Sequence, residues 1–207
     1  MWDVLHGYPW PELLTFVAAG IALNLTPGAD VMFATATGLK GGPRAGMAAG
    51  LGVGLGGLLH VSLAALGLAA LIAAHPGALT AIRWAGAAYL LWLAIATWRA
   101  GATPTGATGV LHPARAILRG FLANALNPKV ILFILAFLPQ FTHAAQGPVW
   151  QQIVLLGGIF TATGTVITMG YGALAGALGQ SLGQRLAGLN RAASLIFAGL
   201  AARLMWE

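Results

Sequence analysis

Of four acidic residues in the 207-residue chain, Asp3 and Glu207 are terminal and Glu12 sits at the predicted outer end of the first apolar segment. Asp30 alone lies well inside an apolar segment, and Lys129 is the only cation equally deep in one. A charge at membrane depth costs at least about 2.5–3.5 kcal/mol on insertion scales. Each therefore needs a partner. One reading is a mutual ion pair that holds two helices together. The other places both charges on a central cavity, where Asp30 takes an ammonium group or a proton and Lys129 takes a carboxylate. Backbone amides exposed after a proline would help with the carboxylate, because the N-terminus of a half-helix carries positive dipole. The two readings are compatible if substrate or proton separates the pair during a cycle.

Both charges follow prolines. Pro27 stands in Asn24-Leu25-Thr26-Pro27-Gly28-Ala29-Asp30, and Pro128 in Asn124-Ala125-Leu126-Asn127-Pro128-Lys129. A proline inside a helix removes the hydrogen bond to residue i−4 and clashes with that carbonyl. In hydrocarbon the freed groups must be satisfied by protein or water. Paired interrupted helices in corresponding places of two halves are the best sequence pointer to a transporter's binding site, whereas a single proline is as readily a structural kink. Asn24, Thr26, Asn124 and Asn127 flank the breaks and could bond substrate or cap freed carbonyls. His60 is a candidate proton relay or a satisfied core histidine. His6, His75, His112 and His143 show no metal-ligand spacing, and no metal or other cofactor is expected.

The elements that carry these residues follow from composition. Hydrophobic residues make up 58% of the chain and charged residues 7%, against about 25% charged in soluble domains. The mean hydropathy is +0.83. Fourteen charges cannot wet the surface of a soluble domain this large. The chain is read as an all-α, polytopic membrane protein. A spanning helix needs about 20 apolar residues, and six segments qualify: roughly 12–37, 46–74, 79–98, 117–139, 149–179 and 187–206. Gly41-Gly42-Pro43, His75-Pro76-Gly77, the small polar stretch 101–109, Pro139 with Gly147-Pro148, and 180–190 separate them as turn signals.

Lys40 and Arg44, then Arg99, Arg115 and Arg119, then Arg185 and Arg191 follow spans one, three and five, while only Arg83 and Arg203 lie near span ends on the other side. The positive-inside rule then makes those three loops cytoplasmic and puts both termini outside. Trp10, Trp84, Trp98, Trp150 and Trp206 fall near span ends, as in an aromatic belt. The first residues lack the basic region of a cleavable signal peptide, so targeting is assigned to the spans. A single transmembrane domain over 1–207 is expected, built of repeats at about 10–99 and 115–206 with a linker at about 100–114. An odd number of spans per half inverts the second repeat relative to the first, and the proline breaks fall in spans one and four.

Gly46, Gly50 and Gly54, with Gly52 and Gly56, recur along span two, as Gly172 and Gly176 do along span five. Such spacing lets helix backbones approach closely, for packing or for a sliding surface.

The chain resembles the LysE/RhtB family of amino-acid exporters from about residue 15 to 205. The likeness rests on Leu25 to Asp30, the basic turn Gly38 to Gly46, Ala85-Gly86-Ala87-Ala88-Tyr89-Leu90, Arg119 to Lys129, and Phe137-Leu138-Pro139-Gln140-Phe141. Gly57 departs from it, since many members place a polar or acidic residue after the glycine of the second helix. The resemblance implies export of amino acids or close derivatives across a bacterial inner membrane, coupled to the proton motive force. It leaves a homodimer open. Scattered basic residues give no nucleic-acid patch. Without cysteine, and with one buried acid, the chain offers poor ligands for divalent metals, and it lacks the clustered nucleophile or acid–base groups of an enzyme. The alternatives are a transporter of another small solute or ion, or a non-catalytic membrane subunit.

Overall fold

A computed structural model describes residues 9–74 and 112–178, with isolated helical positions among 84–95 and 195–205. Apart from those positions, spans three and six lie outside the described residues, as do the linker at 101–109 and Arg83, Arg99, Arg185, Arg191 and Arg203. No strand occurs among the described residues.

Helix α1 (Trp10–Leu25) opens with Pro11 in its first turn, where a missing N–H is no loss. Glu12 in that turn complements the helix dipole. The helix stops at Thr26 because Pro27 cannot continue the ladder. The chain resumes as α2 (Ala29–Ala74), with Asp30 in its first turn. At Gly42 the backbone adopts φ 79°, ψ 178°, a conformation open essentially to glycine alone. Pro43 follows, so α2 is two arms joined by the turn that Gly41-Gly42-Pro43 predicts. Next come α3 (Pro113–Ala125) and α4 (Pro128–Ala136). Two short 3-10 turns, Leu138–Phe141 and Ala144–Gln146, lead into α5 (Val149–Leu178).

Among the described residues two helices are long and apolar enough to cross a membrane, Pro43–Gly67 and Val149–Leu178, with mean hydropathies of 1.7 and 1.8. Two bent pairs reach the same length and apolarity: Trp10–Leu25 with Ala29–Gly41, bent by 50°, and Pro113–Ala125 with Lys129–Phe141, bent by 53°. The described residues thus hold up to four of the predicted spans, and both proline-broken helices are among them. Helix ends differ from the sequence reading by a few residues. The second arm of span one runs to Gly41 rather than 37, and span four begins at Pro113 rather than 117.

The second arm of α2 is wedged between α5 and α3 by its glycines. Gly46 meets the backbone of Gly172, and Gly50 that of Met169. On the other side Gly52 meets the backbone of Ile117, while Gly120 meets that of Ala49. A Cβ at any of these positions would collide with main chain, so the repeated glycines act in close packing. Around the other ends of the broken helices the filling is aromatic. Phe133 stacks on Phe137 and on Phe160 with centroids 4.8 Å apart in each case, and Phe16 meets Phe141 edge-on at 5.3 Å. Glu12 reaches His143 at 2.8 Å. Gln152, fully buried, bonds both the N–H and the carbonyl of His143, fixing the turn region to α5.

Candidate functional site

The site begins with the carbonyls that the two prolines deprive of their i+4 donor, each of which keeps only an i+3 backbone bond, from Thr26 N–H to Leu23 at 3.2 Å and from Asn127 N–H to Asn124 at 2.9 Å. At the first break these belong to the end of α1, and Leu23 is the residue four before Pro27. Its oxygen accepts from the Lys129 ammonium at 3.2 Å, and the Thr26 oxygen accepts from the same ammonium at 2.8 Å. The Thr26 hydroxyl returns to the Ala22 carbonyl at 2.8 Å, and the Tyr171 hydroxyl donates to that of Leu25 at 3.0 Å. At the second break the carbonyl four before Pro128 is that of Asn124. It lies 3.0 Å from Nε2 of His60. A carbonyl only accepts, so this ring nitrogen carries the hydrogen. Asn127 caps α4, its side-chain oxygen accepting from the Lys129 N–H at 3.0 Å.

These contacts divide the four flanking residues into two kinds. Thr26 and Asn127 cap backbone. Asn24 and Asn124 instead reach between helices: Asn24 Nδ2 donates to the Phe160 carbonyl at 3.2 Å, and Asn124 Nδ2 lies 3.4 Å from Asp30 Oδ2. The other carboxylate oxygen of Asp30 accepts from the Val31 N–H at 2.9 Å. Asp30 and Lys129 are 6% and 8% exposed. No salt bridge joins them, so the mutual ion pair is not the arrangement found. They flank Gly28 instead. The point that a Gly28 Cβ would occupy is 2.9 Å from Asp30 Oδ1 and 2.9 Å from Lys129 Nζ. Glycine at 28 therefore keeps open a gap with an anion on one side and a cation on the other.

Beside this gap is a cavity with about 20 Å³ of room for the centres of water-sized molecules, enough for one or two waters and too small for an amino acid. Asn24, Asp30 and Asn124 line it together with Gly54 and Gly57 of α2 and Thr161, Thr165 and Thr168 of α5. Of the sequence-predicted residues, Asp30, Lys129, Asn24, Thr26, Gly28, Asn124 and Asn127 thus meet in one place, between the backbone breaks at Pro27 and Pro128. His60 adjoins it through the Asn124 carbonyl. Among the described residues no group of three acidic or histidine side chains is placed to hold a metal.

A family model described as LysE type translocator matches residues 21–207. The chain belongs to that family. It is 34% identical to a membrane protein of Vibrio cholerae over 81% of this chain and 82% of the other. A homoserine/homoserine lactone efflux protein of Salmonella typhimurium is 32% identical, over 77% and 78% of the two chains. A leucine efflux protein of Klebsiella pneumoniae is 35% identical over 62% of each. No solved structure matches. As a LysE type translocator the protein is a membrane transporter and not an enzyme.

Sequence reasoning missed the contribution of α5 to the translocator's site. Thr161, Thr165 and Thr168 recur at four- and three-residue spacing, which puts them on one helix face, yet inside an apolar span they carry no stronger signal. Tyr171, donor to the Leu25 carbonyl, was equally silent.

Proposed function

We propose that this LysE type translocator exports amino acids or close derivatives through the gap at Gly28, driven by the proton gradient. The observation that carries the reading is that two buried opposite charges stand on either side of a glycine without bonding each other. Such an arrangement fits a zwitterion: the ammonium beside Asp30, the carboxylate beside Lys129. Asn24 and Asn124 border the same cavity and supply amide groups to the ligand, while Thr26, Asn127, Pro27 and Pro128 shape the breaks. The efflux named for the Salmonella and Klebsiella relatives agrees with an amino-acid cargo. In this reading the repeats at about 10–99 and 115–206 are inverted, both termini lie outside the cytoplasmic membrane, and Asp30 exchanges its proton partner with substrate. The cavity is too small for cargo as it stands, so the site must rearrange to load.

The test is efflux of a panel of labelled amino acids from loaded proteoliposomes, with and without an imposed pH gradient. Gradient-stimulated efflux of at least one member is expected. No efflux of any member, or efflux indifferent to the gradient, would contradict respectively the cargo and the coupling.

A further inference from the structure

A lysine in the first turn of a helix stands at the wrong end of it, where the dipole is positive. Lys129 is the second residue of α4, and its side chain leaves that end for the negative end of α1. There the ammonium bonds the carbonyls of Leu23 and Thr26 at 3.2 and 2.8 Å. Two carbonyl oxygens of one helix terminus thus converge on a single nitrogen. Elsewhere on the same terminus a neutral hydroxyl serves one carbonyl, Thr26 for Ala22 and Tyr171 for Leu25.

The surroundings of that nitrogen are negative on a third side. The point that a Gly28 Cβ would occupy is 2.9 Å from Asp30 Oδ1, 2.9 Å from Lys129 Nζ and 3.1 Å from Lys129 Cε. The carboxylate therefore faces the ammonium across the width of a methyl group. Among the described residues no other lysine or arginine is buried. Without Lys129 the two carbonyls, the helix dipole and Asp30 would be left with no positive charge, which is costly in a buried place. A small cation with hydrogens to donate would restore the balance.

We propose that the end of α1 is a binding site for a small monovalent cation, which the Lys129 ammonium occupies as a tethered ion. Transporters with broken helices hold free coupling ions on unwound carbonyls and the C-terminal ends of half-helices. Here the chain supplies the ion itself, and a free cation finds room only when the lysine is taken away. The proposal does not depend on which cargo is exported.

Lys129→Ala vacates the site, and methylammonium matches the Cε–Nζ end that is lost. The Tm of the purified variant is compared in methylammonium chloride and in choline chloride at equal concentration, choline having no N–H to donate. Methylammonium should raise the Tm of Lys129→Ala by about 3 °C or more at a few hundred millimolar and leave the parent where it was. Lys129→Met, whose chain refills the stem without a charge, should not respond either. Equal Tm values of Lys129→Ala in the two salts, or gains as large in the parent or in Lys129→Met, would overturn the site. Should Lys129→Ala be too unstable to melt, the monodisperse fraction recovered from membranes solubilised in each salt takes the place of Tm. More in methylammonium supports the site, and equal recovery, including none in either, rejects it. These readouts need no transport, so a parent that exports no amino acid would sink the proposed function and leave the cation site standing.

Discussion

The two helix breaks bend by nearly the same angle, 50° and 53°, yet they are held in different ways. The second is closed by side chains that bond only backbone, with His60 on the Asn124 carbonyl and Asn127 capping α4. The first depends on a charge borrowed from the second, since Lys129 bonds the carbonyls of both Leu23 and Thr26. A cap that bonds only backbone can stay in place throughout a cycle. A lysine shared between helix ends and a cargo carboxylate cannot give all its hydrogens to both. In the proposed cycle the first break is therefore the one whose geometry would sense cargo, and the second the anchor.

Lys129→Met should break this contrast most severely. It removes the donor to two carbonyls and the proposed carboxylate partner together, so export should fall below detection. Added protease or hydrogen exchange should show the end of α1 opening. Export at a tenth of the parent rate or better would place carboxylate recognition elsewhere.

Asp30→Asn comes next. The amide keeps the shape and loses the charge, so gradient-driven efflux should vanish while the purified protein melts within a few degrees of the parent. A variant that couples as well as the parent would move proton handling to His60 or away from titratable side chains.

His60→Leu should act on the anchor alone. It leaves the Asn124 carbonyl with the Asn127 N–H as its remaining donor, a loss of about 0.5–1.5 kcal/mol for one hydrogen bond, read as a lower Tm. Export should be slowed rather than abolished, and His60→Gln, which can still donate, should be milder. The smallest effect is expected from Asn127→Ala, which removes a helix cap of about 1 kcal/mol. If Asn127→Ala abolished transport in a protein of normal Tm, Asn127 would belong with the cargo ligands and not with the caps.

Much of this was legible in the sequence because prolines and charges are costly in an apolar run. Pro27 and Pro128 dictate where the helices stop, and which carbonyls lose donors follows by counting back four residues. Gly41-Gly42-Pro43 likewise dictates the turn inside α2. The donors themselves were not legible. Lys129 reaches carbonyls more than 100 positions away in the chain, and His60 reaches one 64 away, so their roles depend on how α4 meets the end of α1 and how α2 packs against α3. That packing was foreshadowed only as a row of glycines. Thr161, Thr165 and Thr168 were invisible for a related reason: a threonine in a span ordinarily bonds a carbonyl of its own helix, and their place on the cavity is a property of three dimensions.

The central claim is that cargo occupies the gap between Asp30 and Lys129, and Gly28→Ala tests it most directly. Gly28 does not adopt a positive φ, so alanine imposes no backbone strain, and its methyl would stand 2.9 Å from each charged atom. Efflux of a transported amino acid from proteoliposomes, measured beside the Tm of the purified variant, separates wedge from misfolding. The account predicts a Tm near that of the parent with efflux reduced at least about tenfold, the scale of a lost hydrogen bond to a charged group. Parental efflux from a folded Gly28→Ala protein would show that cargo does not pass between these two charges.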